Sequence, residues 1–140
     1  MWSTLTYGSE TWTLNKTLKS KINAAELWFY RRILRLSWTD RVSNEEVLRR
    51  VDQQRSLLKI IRRRQMEFLG HVIRREKLEH LSLTGMIEGR RVRGRQRKKF
   101  LDSIMEELGE NVTTGQLIQM ARDRDEWRRV TAHVEDTALR

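Results

Sequence analysis

The chain has 140 residues and contains neither cysteine nor proline. Without thiolates there is no disulfide, no cysteine zinc site and no thiol nucleophile, which suits an intracellular chain. The lack of proline fits a small helical module or a fragment of something longer. The opening Met1-Trp2-Ser3-Thr4-Leu5 has no helix cap and reads like the interior of a longer protein. No apolar run approaches the ~18 residues of a membrane span, and the N-terminus shows no signal-peptide core. Membrane contact is therefore not expected.

Reaction chemistry is missing too. His71, His80 and His133 have no ligand partner at helical spacing, and His71 is read as a packing or hydrogen-bonding residue. Asp123 and Asp125 stand two apart, which on one helix puts them on different faces, and Asp102, Glu106 and Glu107 read as solvated helix acids. There is no G-x-S-x-G, no Walker lysine loop and no carboxylate cluster for paired metals. No catalytic residue, metal, cofactor or small-molecule substrate is expected, so the chain reads as a binding module, not an enzyme.

What the chain does have is positive charge in one place. Residues 55 to 99 hold fifteen Lys and Arg against four carboxylates, a net +11, so the other 95 residues carry −1 of the total +10. Such a directed field favours polyanions, because each neutralised phosphate releases condensed counterions. Within it, Arg90, Arg91, Arg93, Arg95, Arg97, Lys98 and Lys99 place seven cations in ten positions beside Gly89 and Gly94. Arginine forks bond phosphate bidentately and stack on bases. The same tract fits a nuclear-targeting signal or a solvated loop, and an intracellular, nuclear location is expected.

Periodicity predicts an all-α fold, about five amphipathic helices in a small irregular bundle with a basic Gly/Arg-rich loop. Residues 1–14, rich in Thr, Trp and Tyr, form an extended or irregular lead-in. The helical part 15–75 follows, beginning with the stripe Leu18, Ile22, Ala25, Phe29, Ile33 and Leu36. Ser37 to Asp40 reads as a turn, and Ser43 with Glu46 as a capping box opening a short helix. A longer helix carries Leu57, Leu58, Ile61, Phe68, Leu69, Val72 and Ile73, and Gly70 within it marks a bend or a close approach. Residues 76–99 read as the basic loop and 100–134 as a C-terminal helical pair, with a frayed tail at 135–140. On the long helix Arg62, Arg63 and Arg64 point mostly outward and share part of a face with Arg74 and Arg75. Their structural alternative is ordinary pairing with Glu67 or Glu76. Of the tryptophans, Trp2, Trp12, Trp28, Trp38 and Trp127, none lies in the basic third, so core or inter-helix packing is expected, Trp38 being the most open.

Six blocks resemble, in order, the endonuclease–reverse transcriptase polyproteins of LINE-type (non-LTR) retrotransposons. They are Tyr7 to Leu14; Arg31 to Leu34 with Ser37 to Leu48; Arg62 to Arg64; Phe68 to Arg75; Gly94 to Lys98; and Asp123 to Arg128. The resemblance spans residues 5 to 130 and places the chain after the polymerase palm, in the thumb-like C-terminal region. It implies a tail that grips template RNA or target DNA, with a reverse transcriptase palm domain as a further partner. The palm's metal-binding aspartates, the endonuclease domain and the Cys/His knuckle of some relatives have no counterpart here, so polymerase activity does not carry over. The expected grip is phosphate contact by Arg62–Arg64, Arg74–Arg75 and Arg90–Lys99. Seven to ten neutralised phosphates would give a log–log salt slope of about −6 to −9. The rival readings are a helical module completing a partner polymerase and a retroelement remnant without function.

Overall fold

The Asn15 side chain accepts a hydrogen bond from the Leu18 amide (2.8 Å) and so starts the first long helix. A computed structural model describes residues 2–52, 56–75, 77–85, 94, 99–109 and 112–137. Among these there are eight α-helices, two 3₁₀ turns and no strand. In order they are α1 (Trp2–Leu5), a 3₁₀ turn (Ser9–Thr11), α2 (Lys16–Ile33), a second 3₁₀ turn (Trp38–Asp40), α3 (Asn44–Val51), α4 (Leu57–Arg75), α5 (Leu78–Thr84), α6 (Phe100–Leu108), α7 (Thr114–Arg122) and α8 (Arg124–Thr137). The fold is all-α.

The helix count exceeds the five that periodicity predicts, for three local reasons. The lead-in is partly helical: α1 and the first 3₁₀ turn are joined through Gly8, held at φ 69°, before residues 12–15 run irregular. Gln65 fastens this segment by donating to Ser9 O (3.1 Å) and Trp12 O (2.8 Å). Next, α5 fills part of the stretch read as loop. It buries no residue and leaves Leu78 exposed, so it has no apolar stripe to betray it. Finally, the last helix is two. Asp123 leaves the helical region (ψ 116°), and its Oδ1 accepts the amides of Asp125 (2.9 Å) and Glu126 (3.0 Å). Asp123 is thus the N-cap of α8, not half of a carboxylate pair on one helix. That helix also runs on to Thr137, beyond the boundary at 134.

α4 is the spine. Its first half packs Leu57 and Ile61 against Leu14 and Ile22, and its second half packs Met66, Leu69 and Ile73 against Leu101, Ile104, Leu117, Ala121 and Trp127. A smaller cluster of Leu27, Tyr30 and Val47 joins α2 to α3. The α2 stripe differs from the predicted one: Ile22, Glu26, Leu27 and Tyr30 are buried, while Ile33 is 56% exposed. The centre of the buried face is a carboxylate. Glu26 Oε1 accepts from Ser56 N (2.7 Å), Leu57 N (3.0 Å) and the Tyr30 hydroxyl (3.2 Å), and so caps α4 from a different helix. Burial raises the Tyr30 phenol, reinforced by the Glu26 charge and only partly offset by a Ser56 hydrogen bond.

Gly70 lies where α8 crosses α4. A side chain there would run into the Trp127 indole, whose Nε1 donates to Met66 O (2.8 Å). The glycine marks a close approach, and Trp127, 3% exposed, is a core residue.

Candidate nucleic-acid interface

The arginines of α4 divide by helical face into three fates. Arg62 is 3% exposed and turned inward, donating to Gln65 Oε1 (2.9 Å) and Glu107 Oε1 (2.7 Å). Lys19 of α2 reaches the same carboxylate oxygen, so one ionic node ties α2, α4 and α6 together. This corrects two expectations: Arg62 does not face outward for phosphate, and Glu107 is not a solvated acid. The cause is sequence position, since Arg62 follows Ile61 on the buried side of α4. Burial pulls the Arg62 guanidinium down, and the neighbouring Glu107 charge resists that. For Glu107 burial acts to raise the carboxyl, yet the bonds and charges of Lys19 and Arg62 outweigh it, and it stays below the usual carboxylate range.

Arg64 turns the other way. It donates from Nη1 to Thr6 O (2.8 Å) and Thr6 Oγ1 (2.7 Å) and lies 3.5 Å from Glu10, fastening the N-terminal turns to α4. Its guanidinium is thereby largely committed to the fold.

Arg63 and Arg74 share a third face. With Glu67 and His71 they line one wall of a groove whose other wall is Arg124, Arg128, Thr131 and Ala132 of α8, with Trp127 between them. The groove has a volume of about 480 Å³ and collects four arginines against one carboxylate. Glu67 lies 3.5 Å from Arg63, and outside the lining Asp125 lies 3.6 Å from Arg128, both exposed pairs of the kind worth little. Arg74 spends one N–H on Ala121 O (2.7 Å), satisfying a C-terminal carbonyl of α7, and remains exposed. A trough lined by rigidly based, exposed guanidinium groups is suited to bidentate contact with phosphate oxygens.

The structure therefore brings together Arg63 and Arg74 of the predicted set, while Arg62 is buried and Arg64 is bonded to Thr6. Arg75 is exposed at the end of α4, and Lys99 is exposed where it precedes α6. Arg90, Arg91, Arg93, Arg95, Arg97 and Lys98 lie outside the described residues. Sequence reasoning missed Arg124 and Arg128. The signal was available: Asp123 followed three residues later by Glu126 is a helix start, and a helix beginning there puts both arginines on one face, i and i+4. No group of His, Cys, Asp or Glu able to hold a metal occurs among the described residues. No described helix is long and apolar enough to cross a membrane.

Comparison with known proteins bears on the chain's origin. The chain is 32% identical over 135 residues to an uncharacterized transposon-derived protein of Caenorhabditis elegans, an alignment covering 88% of this chain and 48% of the relative. A transposon-related origin follows, and the chain spans about half the length of the curated relative it matches. No family model and no solved structure matches it.

Proposed function

We propose that the chain is a nucleic-acid-binding piece of a retroelement protein, of the kind found after the palm of LINE-type reverse transcriptases, and that it grips phosphate without catalytic residues of its own. The observation that carries this is the α4–α8 groove, where Arg63, Arg74, Arg124 and Arg128 from two helices converge beside one carboxylate. The transposon-derived relative and the concentration of the whole net charge in residues 55–99 support the same reading. The Arg90–Lys99 tract extends the grip and doubles as a nuclear address. Contact is to the backbone, RNA or DNA, with little base readout.

A salt titration of binding to single-stranded RNA, duplex RNA and duplex DNA tests it, beside a variant with Arg63, Arg74, Arg124 and Arg128 changed to Gln. For every phosphate no longer neutralised, the log–log slope on duplex DNA becomes shallower by roughly 0.9. A reduction of about two to four units in a folded variant is expected. An unchanged slope refutes the groove as the site.

One observation favours a second reading, a helical module that docks on a polymerase partner. Leu78 is 76% exposed beside a groove lined by Phe68, Leu83 and Phe100. Wild-type protein that binds none of the three nucleic acids would favour that reading.

A further inference from the structure

We propose that a second groove, at the C-terminal end of α2, is a base-stacking site for single-stranded nucleic acid, built on Trp28. The inference rests on the nucleic-acid reading above and adds a strand preference to it. Trp28 is 53% exposed, although sequence reasoning places it in packing. The Arg32 guanidinium already lies 5.3 Å from its ring centroid, so the indole supports a flat cationic group, and the exposed remainder is still large. The groove it lines, about 570 Å³, also presents Arg31, Arg32 and Arg41 and no carboxylate. That volume lies within the ~300–1,000 Å³ of small-ligand sites.

The groove is held open by its own hydrogen bonds. Arg31 Nη2 donates to Val42 O (2.7 Å) and Asn44 Oδ1 (3.0 Å), pinning the 37–44 loop to α2. Asp40, the carboxylate next to Arg41 in the chain, accepts the Ser37 amide (2.7 Å) and is not part of the groove lining. Arg41 itself sits at φ 47°, a conformation glycine or asparagine adopts at less cost, so a cation is held at the rim despite the backbone. An exposed indole among arginines, with no acid in the lining, matches the requirement for stacking a base and neutralising its phosphate. A duplex hides its base faces and has no use for the indole. A protein partner would need acidic groups to meet the three arginines, which makes it the weaker fit.

The test is fluorescence anisotropy with an oligouridine of about 15 nucleotides and with mixed-sequence duplex DNA, using the full chain. Trp28→Ala is expected to weaken oligouridine binding roughly 5- to 100-fold and to leave duplex binding within about twofold. Trp28→Phe should recover most of the loss, and the exposed position should leave the melting temperature close to wild type. If wild-type protein binds neither probe, the nucleic-acid reading itself fails. If it binds both and Trp28→Ala changes neither, or changes both equally, the stacking site is overturned while the phosphate grip stands.

Discussion

Replacing Gly70 by alanine sets two physical effects against each other. In an exposed helix interior the change is favourable by about 1 kcal/mol. Here the new methyl would come within 2.5 Å of Trp127 Cδ1, closer still to Nε1, and 2.9 Å from Arg74 Nη1. The arginine tip can swing aside. The indole cannot: it is 3% exposed and its Nε1 is bonded to Met66 O at 2.8 Å. Overpacking costs roughly 1–3 kcal/mol, and a buried N–H left without its acceptor adds about 1–3 kcal/mol. The balance is a loss of about 2 kcal/mol or more, a fall in melting temperature of roughly 5–10 °C at this chain length. The control is Gly115→Ala, also within a helix but with nothing within 4 Å of the new methyl. It should raise stability by up to about 1 kcal/mol. Thermal unfolding followed by far-UV circular dichroism reads both. A Gly70→Ala protein as stable as Gly115→Ala would refute the close α4–α8 approach and the groove built along it.

Three further outcomes follow from residues already described. Arg62→Gln should cost about 2–3 kcal/mol, less than a fully buried pair because Lys19 still serves Glu107, whereas Arg63→Gln should stay within about 0.5 kcal/mol; urea denaturation separates them. Since the Glu107 carboxyl is lowered from 4.5 in the fold, its contribution is present above pH 4.5 and drains away as the pH falls through its lowered value, so Glu107→Gln should show a shallower acid decline in melting temperature. Arg35 ends α2 at φ 53°, with Leu36 N bonded to Arg31 O (2.9 Å) and Arg35 N to Arg32 O (3.2 Å), a Schellman turn that favours glycine. Arg35→Gly should therefore stabilise the chain by up to about 1 kcal/mol in the same denaturation assay, and a loss would contradict the left-handed assignment.

How much could be read from the sequence depended on whether a residue's role was local. α3, α4 and α6 carry their own stripes and stops, Ser43 capping α3 and Gly109 following α6, and their bounds match the pattern closely. At α3 the capping box is only half made. Glu46 gives its carboxylate to Arg49 and Arg50 instead, whose hydrogen bonds hold it down at about 2. The stripe of α2 misleads because the middle of its buried face is Glu26, a polar residue whose acceptor duty is 30 positions away. Arg62 misleads for the same reason: its partner Glu107 lies 45 residues on. Of the candidate site, Arg63 and Arg74 were legible from helical spacing. Arg124 and Arg128 join them only because Gly70 lets α8 approach, which depends on tertiary packing.

The cap that Glu26 supplies to α4 also has a temporal side. During synthesis α2 emerges before α4, and the first turn of α4 has its amides answered only once it meets a finished α2. The start of the spine is thus completed by a residue 30 positions earlier in the chain, while the basic groove lies along its second half, against α8. A chain lacking residues up to Glu26 would still carry every arginine of the groove. Its α4 would begin without that cap, so a loss at residues up to 26 would loosen a groove built by residues 63 to 132.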